Sequence, residues 1–408
     1  MFSLYIDPMS GVAIVNLIIA FVIALWGQIK NFFLFVIGKK HIEDTSYKER
    51  FSEFSILSEG NQYFSTFFPI IREFEKQKIN LDYYTLDIDD KILSYKSEFV
   101  RPKFLGFSFW GFHKASKIKT KYLLCTTPNI GNKYYPIRKS KNIKNLIHVF
   151  HSISDISIYK KGSLDFYDKV FLGSKFQLKS IREVEKLRNL KTKKCIEVGF
   201  PYLDYLMDCN NKANSKKNEA KNILIASSWG KKGLLNSFDN YWIEQLISNS
   251  DRNFIIRPHP QSLKSEVDTI FKIQELSKKY NNLEIDFNES PIESMQKASI
   301  LVSDTSSIRY DYAFIFLNPV ITVNIASKNM KEYEYASITE KWDYNARIDI
   351  GPVVSNIDNI DDVMIDKLIK NKTSYRKKIL NLRKTSLANM GLSAHKIVKS
   401  IQNIDHHD

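Results

Sequence analysis

The segment Ser299–Asn324, SILVSDTSSIRYDYAFIFLNPVITVN, constrains this chain more than any other. A short apolar run, Ile300 to Val302, ends in a polar knot, Ser303-Asp304-Thr305-Ser306-Ser307. Tyr310 to Phe316 is then an aromatic stretch with helical potential, and Pro319 opens another apolar run. Strand, hydroxyl-rich turn, helix, strand is the unit that sets a helix N-terminus at the carboxyl edge of a parallel sheet. Unpaired N–H groups and the positive end of the helix dipole make that place an anion site. The segment alone leaves two readings open. It is either a helix capped by Asp304 or Ser303, or a phosphate cradle built on three consecutive small side chains that can donate hydrogen bonds.

The same alternation of short apolar strands and longer helical stretches runs from about Phe51 onward, the pattern of an open α/β sheet. Strands are predicted at Ser52–Leu57, Leu81–Leu86, Tyr122–Thr126, Leu146–Phe150, Val170–Leu172 and Cys195–Val198, with helices over Tyr63–Gln77 and Phe176–Arg188. Asp208–Lys221 is polar, nearly free of large apolar residues, and reads as a linker. A second series follows at Asn222–Ala226, Phe254–Ile256, Leu283–Phe287, Ile300–Val302 and Val320–Val323. The expected division is an N-terminal segment over 1–45, a first α/β domain over 46–210, a second over 220–385, and a tail over 386–408. The basic stretch Lys367–Lys384 reads as an amphipathic helix, either solvated or leaning on an anionic membrane. Two such domains place a ligand cleft between two sets of strand ends.

With 408 residues and 43% hydrophobic content the chain can build two full cores. Its formal charge of +15 favours an anionic partner, yet no Arg/Lys cluster interleaves with aromatics in a nucleic-acid motif, so no nucleic acid is expected. Cys125, Cys195 and Cys209 lack paired spacing and suit a reducing compartment. Pro8 to Ile29 contains no charged residue, is long enough to cross a hydrocarbon core, and is followed by Lys30, Lys39 and Lys40. The positive-inside rule then places the bulk of the chain at the cytoplasmic face, anchored or peripheral through residues 8–38.

Histidines stand at strand ends in both halves. His148 lies within an apolar run and reads as a core residue. His151, at the mouth beside Ser152, Ser154 and Asp155, is a candidate general base toward a hydroxyl. In the second half a strand ends in Arg257-Pro258-His259-Pro260. The prolines stiffen the loop, and a cation beside an imidazole suits a diphosphate. Ser227-Ser228-Trp229-Gly230-Lys231-Lys232 offers hydroxyls, a ring and cations after another strand, so Ser228 joins the phosphate candidates. Gly199–Asp204 reads as a strand-to-helix turn. There are no paired carboxylates of glycosidase type, no Walker lysine, no G-x-S-x-G and no metal-ligand cluster.

Taken in order, RPHP at Arg257–Pro260 and SDTSSIRYDYAF at Ser303–Phe314, with NPVI after it, resemble the CDP-glycerol glycerophosphotransferase family of teichoic-acid and capsule polyol-phosphate transferases. His151-Ser152 resembles that family's HG strand end, and Gly199–Asp204 its GxPRxD turn. Ser152 stands in place of the usual glycine, Tyr202 in place of the arginine, and Ser227-Ser228 in place of a Pro-Thr pair. The resemblance implies a GT-B fold: two Rossmann-like domains facing a cleft, here preceded by an apolar N-terminal helix. It also implies a nucleotide-diphosphate donor, a lipid-linked glycan acceptor and the cytoplasmic membrane surface as partners. His151 would then be the acceptor base, with Arg257, His259, Asp304, Ser306 and Ser307 at the donor phosphates. No resident cofactor is expected, and metal dependence stays open. The rival readings are a GT-B glycosyltransferase using a nucleotide sugar and a non-catalytic module that binds glycan lipids.

Overall fold

The computed structural model describes residues 51–212, 222–237, 241–325, 330–355 and 357–403. The first sheet contains β1 (Ser52–Ser58), β2 (Leu81–Thr85), β3 (Val100–Phe104), β4 (Thr120–Cys125), β5 (Ile143–Val149), β6 (Lys169–Leu172) and β7 (Lys194–Glu197), in the order β3-β2-β1-β4-β5-β6-β7. The second contains β8 (Asn222–Ala226), β9 (Phe254–Arg257), β10 (Leu283–Ile285), β11 (Ala298–Ser303), β12 (Val320–Val323) and β13 (Val353–Val354), in the order β10-β9-β8-β11-β12-β13. Every paired neighbour is parallel. Strands such as NILIA and VITV are apolar nearly throughout because helices cover both faces of a parallel sheet.

In each sheet the chain steps outward from a central strand, then returns to that strand's other side. The reversals fall between β1 and β4 and between β8 and β11. Adjacent crossovers leave in opposite directions there, so a crevice opens at the carboxyl ends. The polar knot after β11 and the Ser227-Ser228 turn after β8 flank one reversal. Glu59 after β1 and Thr126-Thr127 after β4 flank the other.

All predicted strands form, within a few residues of the expected bounds. Two were not anticipated. β3, VRPKF, holds two cations and a proline, a composition tolerated because it is an edge strand; Arg101 and Lys103 both pair with Asp82, each at 2.7 Å. β13 is only two residues long.

The expected tail over 386–408 is corrected by the structure. Helix Ser393–Asn403 returns to the first domain, where Ile397, Val398 and Ile401 are buried with Phe54, Ile56, Phe67 and Phe74. Asp204 secures the crossing by accepting from the N–H groups of Gly391 (2.6 Å) and Ser393 (2.9 Å) and from the Ser393 hydroxyl. The basic stretch before it forms helices Asp362–Lys370 and Lys372–Ser386, whose Ile379 and Leu382 are buried in the protein. Of the expected linker, Asp208–Lys212 extends helix Pro201–Lys212, and 213–221 lie outside the described residues. A segment from the second domain also pins the first: buried Glu334 accepts from Gly162 N–H and Arg188, both at 2.9 Å, and Trp342 stacks on Phe176 at 4.1 Å. The apolar stretch Pro8–Ile29 lies outside the described residues; among those described, no helix is long and apolar enough to cross a membrane.

Candidate active site

At the β8/β11 reversal, Asp304 is fully buried at the end of β11. Its carboxylate accepts from the N–H groups of Ser228 (2.9 Å), Leu234 (2.8 Å) and Ser306 (3.0 Å), and from the Ser228 hydroxyl (2.8 Å). Four donors would suit an anion here, and Asp304 is already that anion. This corrects the expectation that Asp304 itself meets phosphate: it ties the 227–234 loop to the helix start. Ser228 is its partner, with its hydroxyl engaged by that carboxylate. Ser306 and Ser307 follow, half-exposed at the start of helix Ile308–Phe316. Behind them the buried Arg309 donates to Ser306 O (3.0 Å) and Asp343 (2.7 Å), which fixes the turn from below.

The RPHP loop ends β9, next to β8. Arg257 is buried, and its guanidinium donates to Asp286 at 2.6 Å and to the Glu289 carbonyl at 2.9 Å. Arg257, expected at the donor diphosphate, is thus paired inside the protein, where it holds the 286–291 loop. His259 is half-buried, and its Nδ1 accepts from Gln261 N–H at 3.0 Å. In the neutral ring the proton then resides on Nε2, which makes that atom a hydrogen-bond donor. Trp229, from the loop that Asp304 organises, lies 6.5 Å from the His259 ring between centroids. The structure thus brings Ser228, Asp304 and Ser306 into one hydrogen-bonded unit and places His259 beside the loop they support.

In the first domain His148 is a core residue, as expected: fully buried, its Nε2 3.0 Å from the Tyr159 hydroxyl, its pKa lowered by burial to about 3. His151 sits two residues beyond β5. Its Nδ1 is buried without a hydrogen-bond partner, its ring meets Tyr63 edge-on at 5.1 Å, and burial lowers its pKa to about 4. It is a neutral imidazole near neutral pH. Around the β1/β4 reversal, Glu59 accepts from the Tyr135 hydroxyl, and burial raises its carboxyl pKa. The hydroxyls of Thr126, Thr127 and Ser174, at the ends of β4 and β6, are buried and unpartnered. Glu59, Tyr63 and Tyr135 escaped the sequence reading, because only the strand order shows that the segment after β1 opens on the strand beside β5.

The two halves also touch. Asn61, in the turn carrying Tyr63, donates to the Glu289 carboxylate at 3.2 Å, and Lys91 pairs with the same carboxylate at 2.5 Å. Contacts therefore run from His151 through the Tyr63 turn to Glu289 and Arg257.

Two parallel sheets with reversals edged by hydroxyls and a histidine define an α/β protein of the GT-B fold class. Residues 157–403 match the family described as CDP-glycerol:poly(glycerophosphate) glycerophosphotransferase. The chain belongs to that family and is an enzyme that transfers polyol phosphate from a CDP-linked donor. Among solved structures, the wall teichoic acid polymerase TagF is similar in fold, at 14% identity and TM-score 0.55, with 95% of this chain and 99% of that one covered. A variant of TagF soaked with CDPG gives 13% identity and TM-score 0.56, covering 94% and 97%. A UDP-GlcNAc 2-epimerase from Neisseria meningitidis shares the fold at 14% identity and TM-score 0.54, covering 86% and 100%. No curated protein matches the chain.

Proposed function

We propose that the protein transfers glycerol phosphate or ribitol phosphate from a CDP-linked donor to a hydroxyl of a lipid-linked cell-surface glycan precursor, at the cytoplasmic membrane face. The acceptor oxygen attacks the phosphorus that bears the polyol. A new P–O bond forms, the pyrophosphate P–O bond breaks, CMP leaves, and the acceptor proton passes to His151. His259 Nε2–H and the Ser306/Ser307 helix start stabilise charge on the phosphates. The observation that carries this reading is the state of His151: a neutral ring at a strand end beside the crevice, with a nitrogen that has no protein partner.

The test is CMP release and product mass from CDP-glycerol and CDP-ribitol, with membranes as acceptor source. His151→Ala should lower kcat by about 10²–10⁴ with unchanged thermal unfolding. Wild-type turnover in that variant would remove His151 from the reaction. Consumption of UDP- or CMP-sugars in place of CDP-polyols would favour the glycosyltransferase reading.

A further inference from the structure

Carboxylates set into this protein differ in how well they are supplied with donors. Asp304 receives four, and Asp204 receives three, from Gly391 N–H, Ser393 N–H and the Ser393 hydroxyl. Asp311 has an unpartnered oxygen but is buried. Glu59 is different, because it is undersupplied at an opening. It is half-buried at the β1/β4 crevice, and one hydrogen bond reaches it, from the Tyr135 hydroxyl. Among the described residues no Lys, Arg or His pairs with it. A carboxylate has about four lone-pair sites, so most of its capacity is unused by the protein. An uncompensated carboxylate in a cleft is costly to keep, which makes it a candidate for contact with a ligand.

The carboxylate is held in place from both sides. The turn after β1 is closely seated: a Cβ on Gly60 would lie 2.7 Å from Asp87 Oδ2, the Ser58 hydroxyl donates to Gly60 O at 3.0 Å, and Asp87 accepts from Asn61 N–H at 3.2 Å. Tyr135 approaches on the loop after β4, where its own N–H donates to Asn132 O at 3.0 Å. Tyr63 joins Glu59 to the histidine. Its ring meets His151 at 5.1 Å, and burial and the nearby Glu59 charge push its phenol up. Carboxyl, phenols and imidazole therefore share one corner of the crevice. The chemistry narrows what can bind there. An anion is repelled by Glu59, and among the described residues no group of His, Cys, Asp and Glu is arranged to hold a metal ion. A neutral hydroxyl can donate to the carboxylate without bringing further charge.

We infer that Glu59 determines which acceptor is used, by accepting a hydrogen bond from the hydroxyl next to the attacking one, so that the site takes a vicinal diol. This rests on the proposed reading of His151 as the acceptor base. One hydroxyl of the pair gives its proton to the imidazole and forms the new P–O bond. The other keeps its proton and donates to Glu59. A terminal polyol unit supplies both hydroxyls, whereas an isolated hydroxyl leaves the carboxylate as undersupplied as it is in the free protein. A hydrogen bond to a charged group of this kind corresponds to discrimination of about 10–100-fold.

The test compares kcat/KM for CMP release from CDP-glycerol and CDP-ribitol with three soluble acceptors. These are hexyl 2,3-dihydroxypropyl phosphate, which ends in a diol, and its 2-hydroxypropyl and 3-hydroxypropyl counterparts, each lacking one hydroxyl. The full chain should prefer the diol to the better of the other two by about 10–100-fold. Glu59→Met keeps the side-chain length, removes both acceptor oxygens, and should bring that ratio to within about twofold. Glu59→Gln retains one acceptor and should fall between, so it carries the test if the Met variant does not fold. Tyr135→Phe leaves Glu59 in place and should keep the preference. Equal use of the three acceptors by the wild type would overturn the inference, as would a diol preference that survives in the folded Glu59 variants. Loss of the preference in Tyr135→Phe alone would assign it to the phenol and would also overturn it. Turnover with membranes but with none of the soluble compounds would remove the diol requirement and leave the proposed transfer standing. Absence of CMP release with every acceptor would instead overturn the proposed transfer itself, and this inference with it.

Discussion

Asp311 offers a sharp test of the second domain's interior. It lies on helix Ile308–Phe316, 3% exposed, with Oδ1 unpartnered, and burial raises its pKa to about 7. In the unfolded chain an aspartate ionises near 3.9. Between those values the native state holds more protons than the unfolded state. Stability therefore falls as pH rises through the window and levels off above 7. Three pKa units correspond to at most about 4 kcal/mol, of which roughly 2 kcal/mol is lost between pH 5 and pH 7. Asp311→Asn keeps the shape and removes the titration. Its amide carries a burial cost of about 1–3 kcal/mol, but that cost does not vary with pH. The burial-raised carboxyls of Glu59, Asp90, Asp155 and Asp204 are common to both proteins and cancel. Urea unfolding followed by tryptophan fluorescence, from pH 5 to pH 8, should show the wild type losing stability relative to the variant as pH rises. Parallel pH profiles would refute the reasoning.

Three further outcomes follow from particular contacts. Tyr202→Arg would place a cation near Asp311, whose charge already acts on the Tyr202 phenol; the pH dependence described above should flatten, as read by the same unfolding series. Because burial holds His151 at about 4, kcat/KM should stay level between pH 7 and pH 5, whereas an unperturbed imidazole would lose about tenfold by pH 5.5. Removing residues 387–408 uncovers the first domain's core at Ile397, Val398 and Ile401. At about 1.5–3 kcal/mol per buried aliphatic side chain, limited proteolysis should then cut the first domain well before the second.

The strands were legible because buried parallel strands are continuous apolar runs, and the histidines stood out because they end such runs. Three things were not legible, each for a physical reason. β3 carries its cations on a sheet edge, where Asp82 of the neighbouring strand compensates them. The returning helix Ser393–Asn403 has its three apolar anchors diluted by polar neighbours, and only the fold shows what they cover. The roles of Arg257 and Asp304 depend on whether a charge already has a partner inside the protein. RPHP and SDTSS look like ligand sites in one dimension, whereas in three their most strongly charged members are already partnered inside the protein.

A scaffold role for Arg257 can be separated from direct phosphate binding by sign alone. Its guanidinium bridges Asp286 and the Glu289 carbonyl, and Asp286 also accepts from Asn288 N–H at 2.8 Å and from the Ser294 hydroxyl. The Glu289 carboxylate in turn reaches Asn61 and Lys91 of the other domain. If Arg257 acts by shaping this loop, Asp286→Asn weakens one arm of the bridge and loosens the loop. The expected result is a KM for the CDP-linked donor raised about tenfold, corresponding to about 1.4 kcal/mol. Arg257→Lys should act alike, because an ammonium cannot span both acceptors in the geometry of the fork, and the double variant should be little worse than either single one. If Arg257 instead meets the diphosphate, Asp286 competes with the donor for its charge. Asp286→Asn would then leave KM unchanged or lower it. A lowered KM would return Arg257 to the phosphates, and a raised one keeps it in the scaffold that sets the approach of the two domains.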